Sequence, residues 1–252
     1  MNKPIKKIVI AGGGTAGWMS AALLTKVLKQ RVDIELVESE EIGIIGVGEA
    51  TIPPIQTFNS VLGVDEAEFL RETKATIKLA IKFENWRVPG EGYFHTFGAP
   101  GKSLAFCQFH HLWQRARQLG DTTSLWQYDL NYLCAQSGKF APITAKDTVL
   151  ELPYAYHFDA SLYARYLRTL SEQRGVIRHE GMIKHVERDA VSGHIRHLVL
   201  EDGRQVAGDL FIDCSGLRAL LIGQTMGVGY DDWSHWLPND SAWAVPSATL
   251  SE

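Results

Sequence analysis

The sequence predicts an α/β protein whose N-terminal part is a Rossmann-like, dinucleotide-binding unit. The apolar run at residues 7–11 is typical of a short buried strand, and residues 18–30 repeat apolar side chains at helical spacing. A second apolar run at residues 34–37 ends at Glu38. A strand, a helix and a second strand in this order are typical of a parallel βαβ unit.

Three glycines between the first strand and the first helix predict what this unit binds. Gly12, Gly14 and Gly17 fit the pattern G-x-G-x-x-G, in which glycines allow a tight turn, backbone approach to a pyrophosphate, and close packing of helix on strand. The helix N-terminus attracts the phosphate charge, so the intervening Thr15 and Ala16 are also predicted to contact the cofactor. Glu38, 21 residues after Gly17, stands where an acid that binds ribose is expected. The alternative is a tight turn without a ligand, which needs one glycine rather than three.

Composition sets limits on the remaining function classes. The 252 residues suit one large domain or two small ones, and a 45% hydrophobic content with 21% charged residues is typical of a globular chain. The net charge of -4 gives no electrostatic reason to expect nucleic acid as a partner. The three cysteines are far apart, so no metal or redox motif is predicted. Neither a signal peptide nor an apolar run of membrane-spanning length is visible, so no membrane partner and a cytoplasmic location are expected.

The second half of the chain indicates which dinucleotide is bound. Asp159 can cap a helix that extends to Glu172. Short alternating segments follow, with Asp202-Gly203 as a hairpin signal, and residues 209–213 form a last strand that leads into Cys214-Ser215-Gly216. This order resembles the FAD-binding fold of the flavoprotein monooxygenases. The resemblance implies that Asp213 and Gly216 lie near the ribityl chain and the pyrophosphate; a capped strand end is the alternative.

Longer stretches resemble one family, the flavin-dependent tryptophan halogenases. They are GGGTAGWM, the glycine- and proline-rich 43–55 loop GIIGVGEATIPPI, IKLAIKFENW, YAYHFDASLYARYL and DLFIDCSGLRALLIG. The resemblance implies a truncated flavoprotein domain with FAD-binding parts at about 1–82 and 153–230. It also implies an inserted substrate region at about 83–152, which its sequence predicts to be mainly helix and loop.

The resemblance also implies the chemistry and its partners. Reduced FAD, supplied by a separate flavin reductase, and O2 generate an oxidant that halide converts to hypohalous acid. A lysine then delivers it to an electron-rich arene, such as tryptophan or an indole-like compound. The partners are thus a small aromatic substrate, halide, O2 and the reductase, and a homodimer is compatible with the family.

Individual residues can be assigned from these motifs. The delivering lysine is Lys78, whose apolar neighbours suit a desolvated amine; a strand lysine on a solvated face is the alternative, as expected for Lys74 and Lys82. His95 and Phe97 match the pair that brackets the arene by stacking, unless His95 is an ordinary loop histidine. By the same resemblance Ala50 lies against the flavin and Ile183 gives adenine a backbone contact. No metal ligands are assigned.

Two departures from the family limit the prediction. Residues 114–149 match less well, which favours an indole-like or phenolic arene over free tryptophan. The sequence shown also lacks the family's Trp-x-Trp-x-Ile-Pro motif, halide loop and assisting glutamate, so a fragment that is inactive alone is expected. A flavin-dependent aromatic hydroxylase and a non-catalytic FAD-binding remnant stay open. Side chains expected to pack in the core or between domains are Trp113, Trp126, Trp233 and Trp236.

Overall fold

The computed structural model describes residues 4–42, 48–143, 151–241 and 243. In chain order the strands are β1 (Lys7–Ala11), β2 (Asp33–Glu38), β3 (Gly48–Ala50), β4 (Thr76–Lys78), β5 (Ala80–Glu84), β6 (Gly92–Thr96), β7 (Ala155–Asp159), β8 (Ile177–Glu180), β9 (Ile183–Arg188), β10 (Ile195–Leu200), β11 (Gln205–Ala207) and β12 (Leu210–Asp213). The α-helices are α1 (Thr15–Leu28), α2 (Pro54–Leu62), α3 (Glu66–Thr73), α4 (Phe109–Gln118), α5 (Leu130–Gln136) and α6 (Ala160–Gln173).

The chain forms two compact units. The first consists of Met1–Glu49, Ala67–Lys74 and Phe158–Glu252, and the second of Ala50–Glu66 and Ala75–His157. The second unit therefore also contains residues 50–66, 75–82 and 153–157, which the sequence analysis grouped with the FAD-binding parts. Which unit binds cofactor and which binds substrate stays a prediction.

The first unit is built on a parallel sheet of order β12-β1-β2-β8. β1 and β2 are apolar runs, and residues 8–11 and 34–37 are buried, as expected for strands covered on both faces. The helix after β1 begins at Thr15 rather than at residue 18, and a short 3-10 turn covers Lys29–Arg31. The predicted α/β class with a parallel sheet is therefore confirmed.

Helices α1 and α6 pack against each other in the first unit. Trp18, Ala21 and Ala22 are buried on α1, and Tyr163 and Leu167 are buried on α6. The Asp159 carboxylate caps α6, as the sequence predicted, by accepting from the amides of residues 161 and 162. Small residues on α1 allow this close approach of the two helices.

An antiparallel sheet of order β11-β10-β9 packs against the parallel sheet. Val9, Ala11 and Val37 form one buried cluster with Leu198 and Leu200 of β10. Because strand side chains alternate between faces, the cluster uses one face of β1 and β2 and leaves the other to the helices. The predicted hairpin lies between β10 and β11, where positions 202–203 form the turn.

The second unit differs in part from its prediction. It contains α4 and α5, but also an antiparallel hairpin of β5 and β6 and the antiparallel pair β4–β7, which belongs to a sheet of order β3-β7-β4. Within the stretch 83–143, which was predicted to be mainly helix and loop, the hairpin therefore adds strand residues at 83–84 and 92–96. Residues 43–47 of the expected 43–55 loop lie outside the described residues, and α2 already begins at Pro54, whose fixed φ suits a first helical turn.

The tryptophans divide into two pairs. Trp113 and Trp126 are partly buried; the Trp113 indole donates to the Thr123 carbonyl at 2.8 Å, and Trp126 stacks on Tyr132. Trp233 and Trp236 are 64% and 77% exposed, so they do not pack in the core of the described residues, and packing between domains stays a prediction. They lie in a segment without regular structure that follows residue 227, where no strand or helix of the described residues holds an apolar face over them.

Candidate functional site

A cleft of about 660 Å³ lies in the first unit, beyond the carboxyl ends of β1, β2 and β12. In a parallel α/β sheet this is the edge at which ligands bind. Its lining residues come from the turn after β1, the end of β2, one face of α6, the 181–183 segment and the turn after β12; they include Gly12, Gly13, Gly14, Thr15, Ala16, Glu38, Glu40, Glu49, Ser161, Arg165, Arg168, Met182, Ile183, Ser215 and Gly216.

The three predicted glycines have three different surroundings. Gly12 has φ +110°, and a Cβ there would lie 2.3 Å from the carbonyl oxygen of Cys214. A Cβ on Gly17 would lie 1.9 Å from the carbonyl oxygen of Gly12, so Gly17 packs under the turn and is absent from the cleft wall. A Cβ on Gly14 would meet nothing within 4 Å. Gly12 and Gly17 are therefore needed for the turn itself, whereas Gly14 leaves space beside the chain.

The N-terminus of α1 faces this cleft without a side-chain cap. Gly14 is the N-cap residue, and the first intrahelical bond runs from the Trp18 amide to the Gly14 carbonyl at 3.1 Å. The amides of Thr15, Ala16 and Gly17 have no carbonyl one turn back to bind. Amides of this kind at a helix N-terminus bind phosphate oxygens.

Glu38 is held at the end of β2 by several donors. Its Oε1 accepts from Arg178 Nε at 2.5 Å and lies 3.7 Å from Arg168 Nη1, and its Oε2 accepts from the Trp18 indole at 3.2 Å. The carboxylate packs against Gly13 so closely that a Cβ on Gly13 would lie 1.5 Å from Oε2 and 2.5 Å from the Glu38 Cβ. An acid in this position can accept hydrogen bonds from the hydroxyls of a ribose.

Some of the other residues predicted to bind the cofactor line the cleft, and others do not. Ile183 and Gly216 line the cleft. Asp213 is not among the residues that line it: its carboxylate accepts from the amides of Ser215, Leu221 and Ile222 and from the Ser215 hydroxyl. Burial opposes the charge of Asp213, but these hydrogen bonds outweigh it and lower its pKa. Asp213 thus shapes the turn that carries Gly216, while Ala50 lies on β3 in an exposed position and Glu49 lines the cleft instead.

Lys78, at the end of β4 in the second unit, is a buried lysine with 6% of its surface exposed. Its ammonium donates to the Thr51 carbonyl at 2.9 Å and lies 5.4 Å from the centre of the Phe97 ring. Burial lowers the pKa of Lys78 below its usual value of 10.5. Lys74 and Lys82 are exposed, and Lys82 is paired with Glu84, so the sequence distinguished these three lysines correctly.

His95 lies on the second strand of the hairpin that continues from this lysine, and Phe97 directly follows that strand. Phe97 is half-buried, and its amide donates to the Leu79 carbonyl, which keeps its backbone beside the end of β4. His95 is exposed on β6, opposite Ile81. A different histidine is near the lysine: the pKa of His157 is lowered by burial and by the charge of Lys78.

A buried polar residue that the sequence analysis missed connects these parts. Asn131 is fully buried, and its amide donates to the carbonyls of Leu79 and Pro153 at 3.0 and 2.6 Å. Asp129 is equally buried and accepts from the Thr96 hydroxyl at 2.5 Å. No periodicity marks either residue, and only Asp129, as the N-cap of α5, had a local signal. Together they bind Leu79, the residue after Lys78, and Thr96, the residue before Phe97.

The described ranges contain neither a candidate metal centre nor a membrane-spanning helix. No group of three or more His, Cys, Asp or Glu side chains there is arranged to hold a metal ion. No helix in those ranges has the length and the apolar character needed to cross a membrane.

Comparison of this chain with known protein families and structures agrees with the cleft, the buried lysine and the motifs around them. The family model described as tryptophan halogenase matches residues 7–251. The chain therefore belongs to the tryptophan halogenase family, as the sequence analysis predicted.

Individual relatives make the relationship more specific. Tryptophan 7-halogenase RebH of Lentzea aerocolonigenes is 39% identical over an alignment of 264 positions, which covers 97% of this chain and 49% of that protein. A flavin-dependent halogenase from Xanthomonas campestris has a similar structure, with a TM-score of 0.88 and 51% identity over 93% of this chain and 47% of its own. For BrvH, a flavin-dependent halogenase from Brevundimonas sp. BAL3, the TM-score is 0.86, with 42% identity and the same coverage. The chain spans about half the length of these relatives.

Proposed function

We propose that this chain carries the FAD site and the delivering lysine of a flavin-dependent halogenase that acts on an electron-rich, indole-like arene. The single observation that carries the proposal is the burial of Lys78 in a family whose members are halogenases. When bound, reduced FAD would supply the reaction with O2 that produces the oxidising equivalent for halide.

The residues of the cleft fit the adenosine diphosphate part of FAD. The amides of Thr15 and Ala16 can bind the pyrophosphate, because the α1 N-terminus has no side-chain cap and Gly14 leaves room beside it. Glu38 can accept from the ribose, and the backbone at Ile183 can contact adenine. We assign Gly216 to the flavin side of the cleft and Asp213 to holding its turn.

Lys78 can deliver hypohalous acid because its amine is desolvated. In the protonated form it can donate a hydrogen bond to the oxidant, and in the neutral form its lone pair can attack the halogen, releasing water to give a haloamine. Burial favours the neutral form, since it lowers the pKa. The Thr51 carbonyl accepts one ammonium hydrogen and orients the nitrogen, and Phe97 limits access of water from its side.

The substrate is placed by Phe97, with His95 as the second predicted contact. An aromatic ring beside the reacting nitrogen can stack on an arene and hold it for attack. Residues 114–149 match the halogenases of free tryptophan less well, so we propose indole or a phenol as the better substrate. Product yields from indole, phenol and free tryptophan in one halogenation assay test this; preference for free tryptophan contradicts it.

Replacement of Lys78 tests the mechanism. In the native protein that contains this sequence, we expect Lys78→Ala to lose arene halogenation while hypohalous acid still forms and is caught by a chemical trap. Lys78→Arg should lose it as well, because guanidinium stays protonated and forms no comparable haloamine. Lys82→Ala is the matched control, since Lys82 is exposed and should affect turnover little.

The same experiments also distinguish a halogenase from the two alternatives, an aromatic hydroxylase and a non-catalytic flavin-binding chain. Product formation that is unchanged in Lys78→Ala contradicts the delivery role. An oxygenated product that needs no halide identifies an aromatic hydroxylase. FAD binding without turnover in any form of the protein identifies a non-catalytic flavin-binding chain.

A further inference from the structure

Two guanidinium groups, those of Arg178 and Arg168, lie next to the Glu38 carboxylate, and the proposed cofactor site assigns no role to Arg178. Arg178 lies on β8, the strand next to β2, and its side chain is only 13% exposed. Its Nε donates to Glu38 Oε1, and its Nη2 donates to Glu40 and Glu180. Burial opposes the charge of Arg178, but these carboxylates outweigh it and raise the pKa of the guanidinium.

Arg178 is not among the residues that line the cleft, whereas its partner Glu38 is. Any effect of Arg178 on a ligand must therefore pass through the residues it holds. The geometry also determines which atom is free to act. Arg178 and Arg168 both approach Oε1, while Oε2 has one protein donor, the Trp18 indole. A carboxylate oxygen can accept two hydrogen bonds, so Oε2 keeps one position for a ligand donor.

We infer that Arg178 is a positioning residue that orients the Glu38 carboxylate toward the ribose hydroxyls of the adenosine half of the cofactor. The inference rests on the proposed FAD site. Without the guanidinium, Glu38 would lose its strongest donor and rotate or take up water. Its hydrogen bond to the ribose would then weaken, while the phosphate contacts at the N-terminus of α1 would stay.

The test compares ligands that differ at one hydroxyl. Dissociation constants of ADP and 2′-deoxy-ADP are measured by calorimetry for wild type, Glu38→Gln, Arg178→Leu and Arg178→Lys. Wild type should prefer ADP about tenfold, as expected for a hydrogen bond to a charged group. Glu38→Gln and Arg178→Leu should both remove most of that preference. Arg178→Lys should keep part of it, because a lysine retains the charge but cannot bond Glu38 and Glu180 through a rigid fork.

A purely structural role predicts a different result. Loss of local packing would weaken ADP and 2′-deoxy-ADP equally and leave their ratio unchanged, which would overturn the inference. Tighter ADP binding in Arg178→Leu would overturn it too, because Arg178 would then compete with the ribose. Arg71→Leu is the matched control, since the Arg71 side chain is 68% exposed and its guanidinium pairs with the neighbouring Glu72. If wild type binds neither ADP nor FAD, the proposed cofactor site fails first and the inference fails with it.

Discussion

Gly14→Val separates ligand binding from folding more cleanly than any other change in the glycine turn. Gly14 has φ −68° and ψ −176°, an extended conformation that valine adopts readily, and a Cβ there meets nothing within 4 Å. Valine is a poorer N-cap than glycine, which costs about 1 kcal/mol or less. For a chain of this size that lowers the melting temperature by roughly 2 to 4 °C.

The effect on FAD should be much larger. A ligand at 100 times its dissociation constant stabilises the folded state by about 2.7 kcal/mol, which corresponds to roughly 5 to 11 °C in melting temperature. Wild type should show a shift of this size with FAD. Gly14→Val should show none, because the added methyl groups occupy the space that the pyrophosphate needs.

Differential scanning fluorimetry with and without FAD measures both quantities on the same samples. Gly17→Ala is the contrasting variant: its Cβ would lie 1.9 Å from a backbone oxygen, so it should lose about 1 to 3 kcal/mol of stability without any ligand. A full FAD shift in Gly14→Val would refute the placement of the pyrophosphate at this turn. A shift with NAD and none with FAD would refute the choice of cofactor.

Two further changes test the second unit. Asn131→Leu should cost about 1 to 3 kcal/mol in urea unfolding, because it removes the side-chain donor to the Pro153 carbonyl and one of the two donors to the Leu79 carbonyl, which keeps the Phe97 amide; a loss below about 0.5 kcal/mol would contradict the geometry. Lys78→Met should change the pH dependence of unfolding. Burial lowers the pKa of Lys78, so as pH rises through that lowered value toward 10.5, the folded chain has released a proton that the unfolded chain still holds. Wild type should therefore gain stability relative to Lys78→Met over this range, and parallel profiles would contradict the lowered pKa.

The sequence predicted the first unit better than the second for physical reasons. β1, α1 and β2 are specified by local signals, namely apolar periodicity, a glycine turn and an N-cap, and each needs only neighbouring residues to be recognised. The hairpin of β5 and β6 carries a weaker signal: residues 81–84 alternate apolar and polar side chains over only four positions, and β6, in which Tyr93 and Phe94 are adjacent, does not alternate.

The site was predictable where a backbone requirement fixes the residue type. At Gly12 and Gly17 a Cβ would lie less than 2.5 Å from a backbone oxygen, so only glycine fits there, and a pattern of glycines in the sequence indicates such positions directly. For Asp213 the sequence left two interpretations open, because a carboxylate after a strand can either face a ligand or bind the amides of its own turn, and the spacing is the same in both cases. Asn131 and Arg178 act through hydrogen bonds to residues distant in sequence, so no local sequence pattern predicts their roles.

The close packing of Gly13 against Glu38 restricts position 13 to glycine. A side chain at position 13 would collide with the Cβ of Glu38 as well as with its carboxylate, so a different Glu38 rotamer cannot make room for it. A larger residue at position 13 can be accepted only if the end of β2 moves away, and this would carry the ribose acid out of reach. Mutational libraries built on this chain should therefore keep glycine at position 13, because the collision with the Cβ at position 38 would persist for every residue there except glycine, whereas position 38 can be varied alone.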